Sequence, residues 1–270
     1  MRRPILSCLL GLVIVLAPRL RAQDSPPSNQ VQVVEVPARR SEPPTADASF
    51  EDLIDRGDQL RAEKAYLDAL DYYHAALAKK PNDASVHNRI GIAEMQIEHW
   101  RESEKEFERA INEDHDFADA YNNLGVDYYE LKRYGKAIKL YETAIRLRGN
   151  SASYYTNLGA AYFSKKEIEK AAEAYAKALQ LDPDVLEQNS RTGVSARLPS
   201  PEDRGYFDYV MAKLYAKAGV TERSLEHLRR AMEEGYKKID DVYKDTEFTE
   251  VRKDPRFTQM MAAHPTAIPE

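Results

Sequence analysis

Any catalysis by this chain would have to be assembled from histidines, carboxylates and one cysteine, and their spacing does not assemble it. The sequence holds six histidines. His74, His87, His99, His115 and His227 fall on separate segments, with no i, i+4 pair and no thiolates to complete a zinc set. No G-x-G-x-x-G, G-x-x-x-x-G-K-[ST] or G-x-S-x-G occurs, so neither a phosphate cradle nor a nucleophile elbow is encoded. The abundant Asp and Glu residues fall on solvated helical positions. The expectation is a protein that is not an enzyme and has no catalytic residue, no metal site and no cofactor.

Charge narrows the partners. The chain has 39 basic and 45 acidic residues. Residues 1–22 hold four arginines and no acid, so without them the balance is 35 against 45, a net of -10. Nucleic acid requires a basic face that neutralises phosphates, and an anionic membrane surface is equally disfavoured. A protein or peptide partner remains.

The elements behind this composition follow one ladder. Gly57, Gly91, Gly125 and Gly159 stand 34 residues apart, as do Ala76, Ala110, Ala144 and Ala178. Tyr73, Phe107, Tyr141 and Tyr175 take the same step, and so do Ile90, Leu124 and Leu158. A fixed period of this size marks stacked supersecondary units. Each unit is expected to be two antiparallel helices of about 13 residues with a short turn. Glycine should sit where the first helix meets its own second helix, and alanine where the second meets the next first helix. Tyr121, Tyr128, Tyr155 and Tyr162 read as core packing whose hydroxyls reach the surface.

These columns resemble the tetratricopeptide repeat. In the clearest copies an aromatic precedes Leu124-Gly125 and Leu158-Gly159, Tyr128 and Tyr162 follow, and alanine and aromatic columns occupy the second helix. Proline closes a unit at Pro81 and Pro183; His115 and Gly149 stand where the intervening prolines would be, and Arg56 departs from the leucine column. The resemblance implies an all-α fold, a right-handed superhelical solenoid of antiparallel helix pairs. It covers about half the chain strongly and says little about function, since one fold hosts many activities.

Taken in order, residues 1–22 read as an export signal: Arg2 and Arg3, an apolar run from Ile5 to Ala17, and Leu20-Arg21-Ala22 before Gln23. That run is short for a membrane span. The protein is expected to be exported, periplasmic or extracellular, with an uncleaved membrane tether as the rival. No integral membrane domain is expected after removal of the signal. Cys8 lies in this segment and precedes most of the apolar run, which argues against lipidation. Residues 23–48 are a Pro-rich tether. Four repeats follow at 50–83, 84–117, 118–151 and 152–185. Residues 187–203 form an inserted loop, after which Ala212, Tyr215 and Ala231 stand 53 beyond their counterparts. A fifth repeat is placed at 204–237, with Ser200-Pro201-Glu202-Asp203 as its helix start. Residues 238–270 cap the array, with Phe248 and Phe257 turned inward.

The resemblance also implies a concave groove lined by first helices. Its facing positions are Asn88, Ile92, Met95, Asn122, Val126, Tyr129, Thr156, Ala160 and Phe163, with Asn123 and Asn157 adjoining. Asparagines spaced by one repeat can hold the backbone of an extended peptide. If so, replacing Asn88 and Asn122 should cost binding and leave stability intact. The positions of a carboxylate clamp carry Ile54, Asp58, Asn123, Ser153 and Asn157, with no cation, which argues against a peptide held by its C-terminal carboxylate. The expected function is a scaffold or adaptor in an envelope assembly. The alternatives are a self-associating array forming a homo-oligomer, and an accessory that recruits substrate for a separate enzyme.

Overall fold

The computed structural model describes residues 41–188 and 201–263. The expected export signal, most of the tether, most of the inserted loop and the last residues lie outside them. Eight helices run in pairs: α1 (Phe50–Ala62) with α2 (Tyr66–Lys79), α3 (Ala84–Gln96) with α4 (Trp100–Glu113), α5 (Ala118–Glu130) with α6 (Tyr134–Leu147), and α7 (Ala152–Ser164) with α8 (Ile168–Leu181). Each pair packs within itself, and each second helix packs on the next first helix. The described residues are an all-α solenoid of antiparallel helix pairs.

The period has a steric cause. A Cβ placed on Gly91, Gly125 or Gly159 would lie 2.6, 2.6 and 2.9 Å from Cε1 of Phe107, Tyr141 and Tyr175, sixteen residues on. Only glycine lets these rings lie flat on the preceding helix. Ala76, Ala110, Ala144 and Ala178 are fully buried. Ala144 packs with Ala118 and Tyr154, the latter on the next first helix, so the alanine column sets the spacing between repeats.

The turns inside the repeats carry a column that composition conceals. Lys64, Glu98, Lys132 and Lys166 have φ of 62, 62, 59 and 62°, and Gly219 has 77°. Each ends a helix in the left-handed conformation. The next residue then bonds back to the last turn, as in Ala65 N–H to Leu60 O at 2.8 Å and Arg133 N–H to Tyr128 O at 2.7 Å.

A one-turn helix α9 (Val185–Gln188) opens the expected insertion, and α10 (Pro201–Lys217) begins within it, at Pro201. Helix α10 pairs with α11 (Thr221–Glu233) and also touches α8. Three 3₁₀ turns (Ile239–Tyr243, Thr246–Phe248, Val251–Lys253) and α12 (Pro255–Ala263) follow. Val242, Phe248, Val251, Phe257 and Met261 are buried with Leu225, Leu228 and Ala231, so the tail completes the core of the last pair. Arg252 ties the tail to itself, donating to Val242 O and Asp245 O at 2.8 Å each.

Candidate functional site

First helices of neighbouring repeats meet at residues 35 apart, and the expected asparagine ladder lies on that seam. Asn157 Nδ2 donates to Asn122 Oδ1 at 2.9 Å, and Asn123 Nδ2 to Asn88 Oδ1 at 2.9 Å. Asn122 Nδ2 donates to Asn123 Oδ1 at 3.2 Å, which joins the two rungs into one chain. Asn88, Asn122, Thr156 and Asn157 are buried, and Asn157 Oδ1 has no partner. Thr156 Oγ1 donates back to Ala152 O at 3.0 Å. Ile92 and Val126 pack against the central apolar cluster, Ala160 is fully buried in it, and Met95 is half-buried. The geometry therefore shows these asparagines bonded to one another.

Tyr129 and Phe163 are placed differently. Both line a cleft of about 1400 Å³ bounded by the C-terminal ends of α5 and α7, by α10, and by residues 236–245. The Tyr129 hydroxyl meets Ser164 Oγ at 3.0 Å, again 35 residues on, and its ring tilts against Tyr134 at 5.2 Å. Phe163 faces Tyr206 at 6.4 Å, Tyr206 stacks on Tyr236 at 5.8 Å and 16°, and Tyr209 meets Tyr236 at 4.7 Å. One wall of the cleft is thus a continuous run of aromatic rings. Burial pushes the Tyr236 hydroxyl up to about 12, so it stays a neutral hydrogen-bonding group at physiological pH.

Lysines rim the same cleft: Lys132 and Lys166 from the turns, Lys213 from α10, and Lys237 and Lys238 from the segment after α11. Lys213 pairs with Asp245 at 2.9 Å and Glu247 at 3.4 Å. Asp245 also accepts from the Tyr209 hydroxyl at 2.8 Å. Burial would raise the Asp245 carboxyl, yet the bonds from Lys213 and Tyr209 outweigh it and lower it, so this carboxylate stays ionised. These lysines escape a reading of helix faces because turns and tail supply most of them. Only Lys132 and Lys166 share the repeat's step of 34 residues, and that spacing alone does not bring them together with Lys213, Lys237 and Lys238.

Two further pairs lie away from the cleft. His87 Nδ1 meets Glu106 Oε2 at 2.7 Å, and His227 Nδ1 meets Asp208 Oδ1 at 2.7 Å. They occupy matching positions in two helix pairs with acid and base exchanged. Asp127 is buried; its Oδ2 accepts from Ser103, while its Oδ1 has no partner. Among the described residues, no cluster of histidine, cysteine and carboxylate could hold a metal ion, and no helix is long and apolar enough to cross a membrane.

Residues 116–184 match the tetratricopeptide repeat family profile. The fold is that of a tetratricopeptide repeat array. The array is similar to the solved structure of pilF from Pseudomonas aeruginosa, at 18% identity over 81% of this chain and 99% of that one, with a TM-score of 0.54. A thermophilic repeat protein of Thermus thermophilus aligns at 19% identity over 79% and 100%, TM-score 0.49. MamA from Desulfovibrio magneticus RS-1 aligns at 18% over 68% and 93%, TM-score 0.49. At these identities the likeness is one of fold. No curated protein matches the chain by sequence.

Proposed function

We propose that this protein is a non-catalytic scaffold that holds a segment of a partner protein in the cleft between the ends of α5, α7 and α10 and the 236–245 segment. The observation that carries this reading is the cleft's wall of aromatic rings under a polar rim. Its volume of about 1400 Å³ exceeds the usual small-molecule pocket of about 300–1,000 Å³ and suits several residues of an extended chain. Rings of Tyr and Phe give such a segment large contact area at low entropy cost. Of the groove residues expected from the sequence, Tyr129 and Phe163 line the cleft but are buried, so in this reading the segment lies on the half-buried Tyr206 and Tyr236 rings. Asn88, Ile92, Met95, Asn122, Asn123, Val126, Thr156 and Asn157 are not among the residues that line the cleft. An exported setting and an envelope assembly belong to the same proposal.

A photoreactive residue in place of Lys237, which is exposed and lines the cleft, tests this. Irradiated in intact cells, it should join the chain to one dominant partner protein. The same residue at the exposed Lys139 of α6 should not. Equal yields from both positions would remove the cleft from the account.

A further inference from the structure

The cleft's charges are not evenly committed. Four carboxylates face it: Glu130, Asp203, Asp241 and Asp245. Asp245 is held by Lys213 at 2.9 Å, Asp241 by Lys244 at 3.1 Å, and Asp203 faces Lys166 at 3.9 Å. Glu130 also has an interaction within the chain. Two lysines on the rim, Lys132 and Lys238, are exposed and have no ion-pair partner among the described residues. The charge left over is therefore positive, on a chain whose acidic residues outnumber its basic ones by 45 to 39.

We propose that the segment held in the cleft is an acidic peptide carrying aromatic or aliphatic side chains, its carboxylates drawn to Lys132 and Lys238 on the rim and its apolar groups laid on the half-buried Tyr206 and Tyr236 rings. This rests on the scaffold reading above and adds the chemistry of the partner. One of these lysines comes from the turn after α5 and the other from the segment after α11, so both the repeat array and the tail supply an unpaired cation to the same cleft. Side-chain carboxylates are the target. Complementary charge of this kind sets partner choice and speeds encounter, and it weakens with salt. The left-handed φ of Lys132 marks no binding role by itself, because Lys64 and Glu98 share it away from the cleft.

The test uses the full chain and three fluorescein-labelled peptides of equal length, in which Phe and Leu alternate with Asp and Glu, with Asn and Gln, or with Lys. Anisotropy titration should give the acidic peptide an affinity at least about tenfold above the amide peptide, lost progressively as salt is raised. Lys132→Glu combined with Lys238→Glu should remove that advantage without moving the melting temperature, since both side chains are exposed. Equal binding of the acidic and amide peptides, or a preference for the basic one, would overturn this inference and leave the scaffold reading in place. A labelled oligothymidylate binding as tightly as the acidic peptide would also overturn it. Silence from all three peptides, together with equal cross-linking from Lys237 and Lys139, would sink both.

Discussion

Asn157 gives its side-chain amide to Asn122 Oδ1 at 2.9 Å, and one repeat earlier Asn123 gives the same bond to Asn88 at 2.9 Å. These amides form rungs between first helices. Asn122→Ala removes an acceptor from Asn157 and a donor from Asn123 in a buried setting, and should destabilise the fold by about 1–3 kcal/mol. Urea unfolding reads this directly. An unchanged midpoint would mean the asparagines are spare after all.

The rings over the glycine column predict a sharp asymmetry between two glycines of one repeat. A Cβ on Gly125 would meet the fully buried Tyr141 ring, whereas one on Gly135 meets nothing within 4 Å. Gly125→Ala should cost about 1–3 kcal/mol through overpacking. Gly135→Ala, near the start of α6, should stabilise by up to about 0.5–1 kcal/mol. Similar effects at both sites would contradict the packing described.

Much of the fold could be read from Gly57 to Ala178 because steric demands there act on residue type: only glycine fits under a ring, and only alanine fits between helices. The cleft could not be read this way. Lys132, Lys166 and Lys238 belong to turns and tail, where a left-handed φ or a surface position restricts type weakly. Their convergence with Tyr129 and Phe163 depends on how the segment after α11 folds back. The asparagines stand between these cases. Their spacing of one repeat was plain, but whether an amide faces a ligand or its neighbour depends on the register between helices.

Asp127 should make stability depend on pH. Burial, reinforced by Glu104 and Glu130 against the opposing Ser103 bond, raises its carboxyl from 3.8 to about 7. The folded state then binds a proton that the unfolded state has released. Its stabilising effect is complete below about pH 4 and is lost at about 1.4 kcal/mol per pH unit as the pH climbs to about 7. Asp127→Asn keeps an acceptor for Ser103 and should leave the melting temperature nearly unchanged at pH 4 while raising it at pH 8. An equal difference at both pH values would refute this.

The left-handed turns hold strain that glycine would release. At Lys64, outside the cleft, Lys64→Gly removes a penalty of about 1–2 kcal/mol and loosens the unfolded chain by somewhat less. A net gain of up to about 1 kcal/mol is expected by chemical denaturation. A loss of stability would show that the Lys64 side chain itself supports the turn.

The cleft is the centre of the account, and amide hydrogen exchange tests it most directly. Exchange is measured on the chain alone and after adding the partner segment identified by cross-linking from Lys237. The account predicts slowed exchange confined to residues 129–134, 163–168, 206–213 and 236–245. Slowed exchange confined instead to α2, α4, α6 and α8, or no change at all, would contradict it.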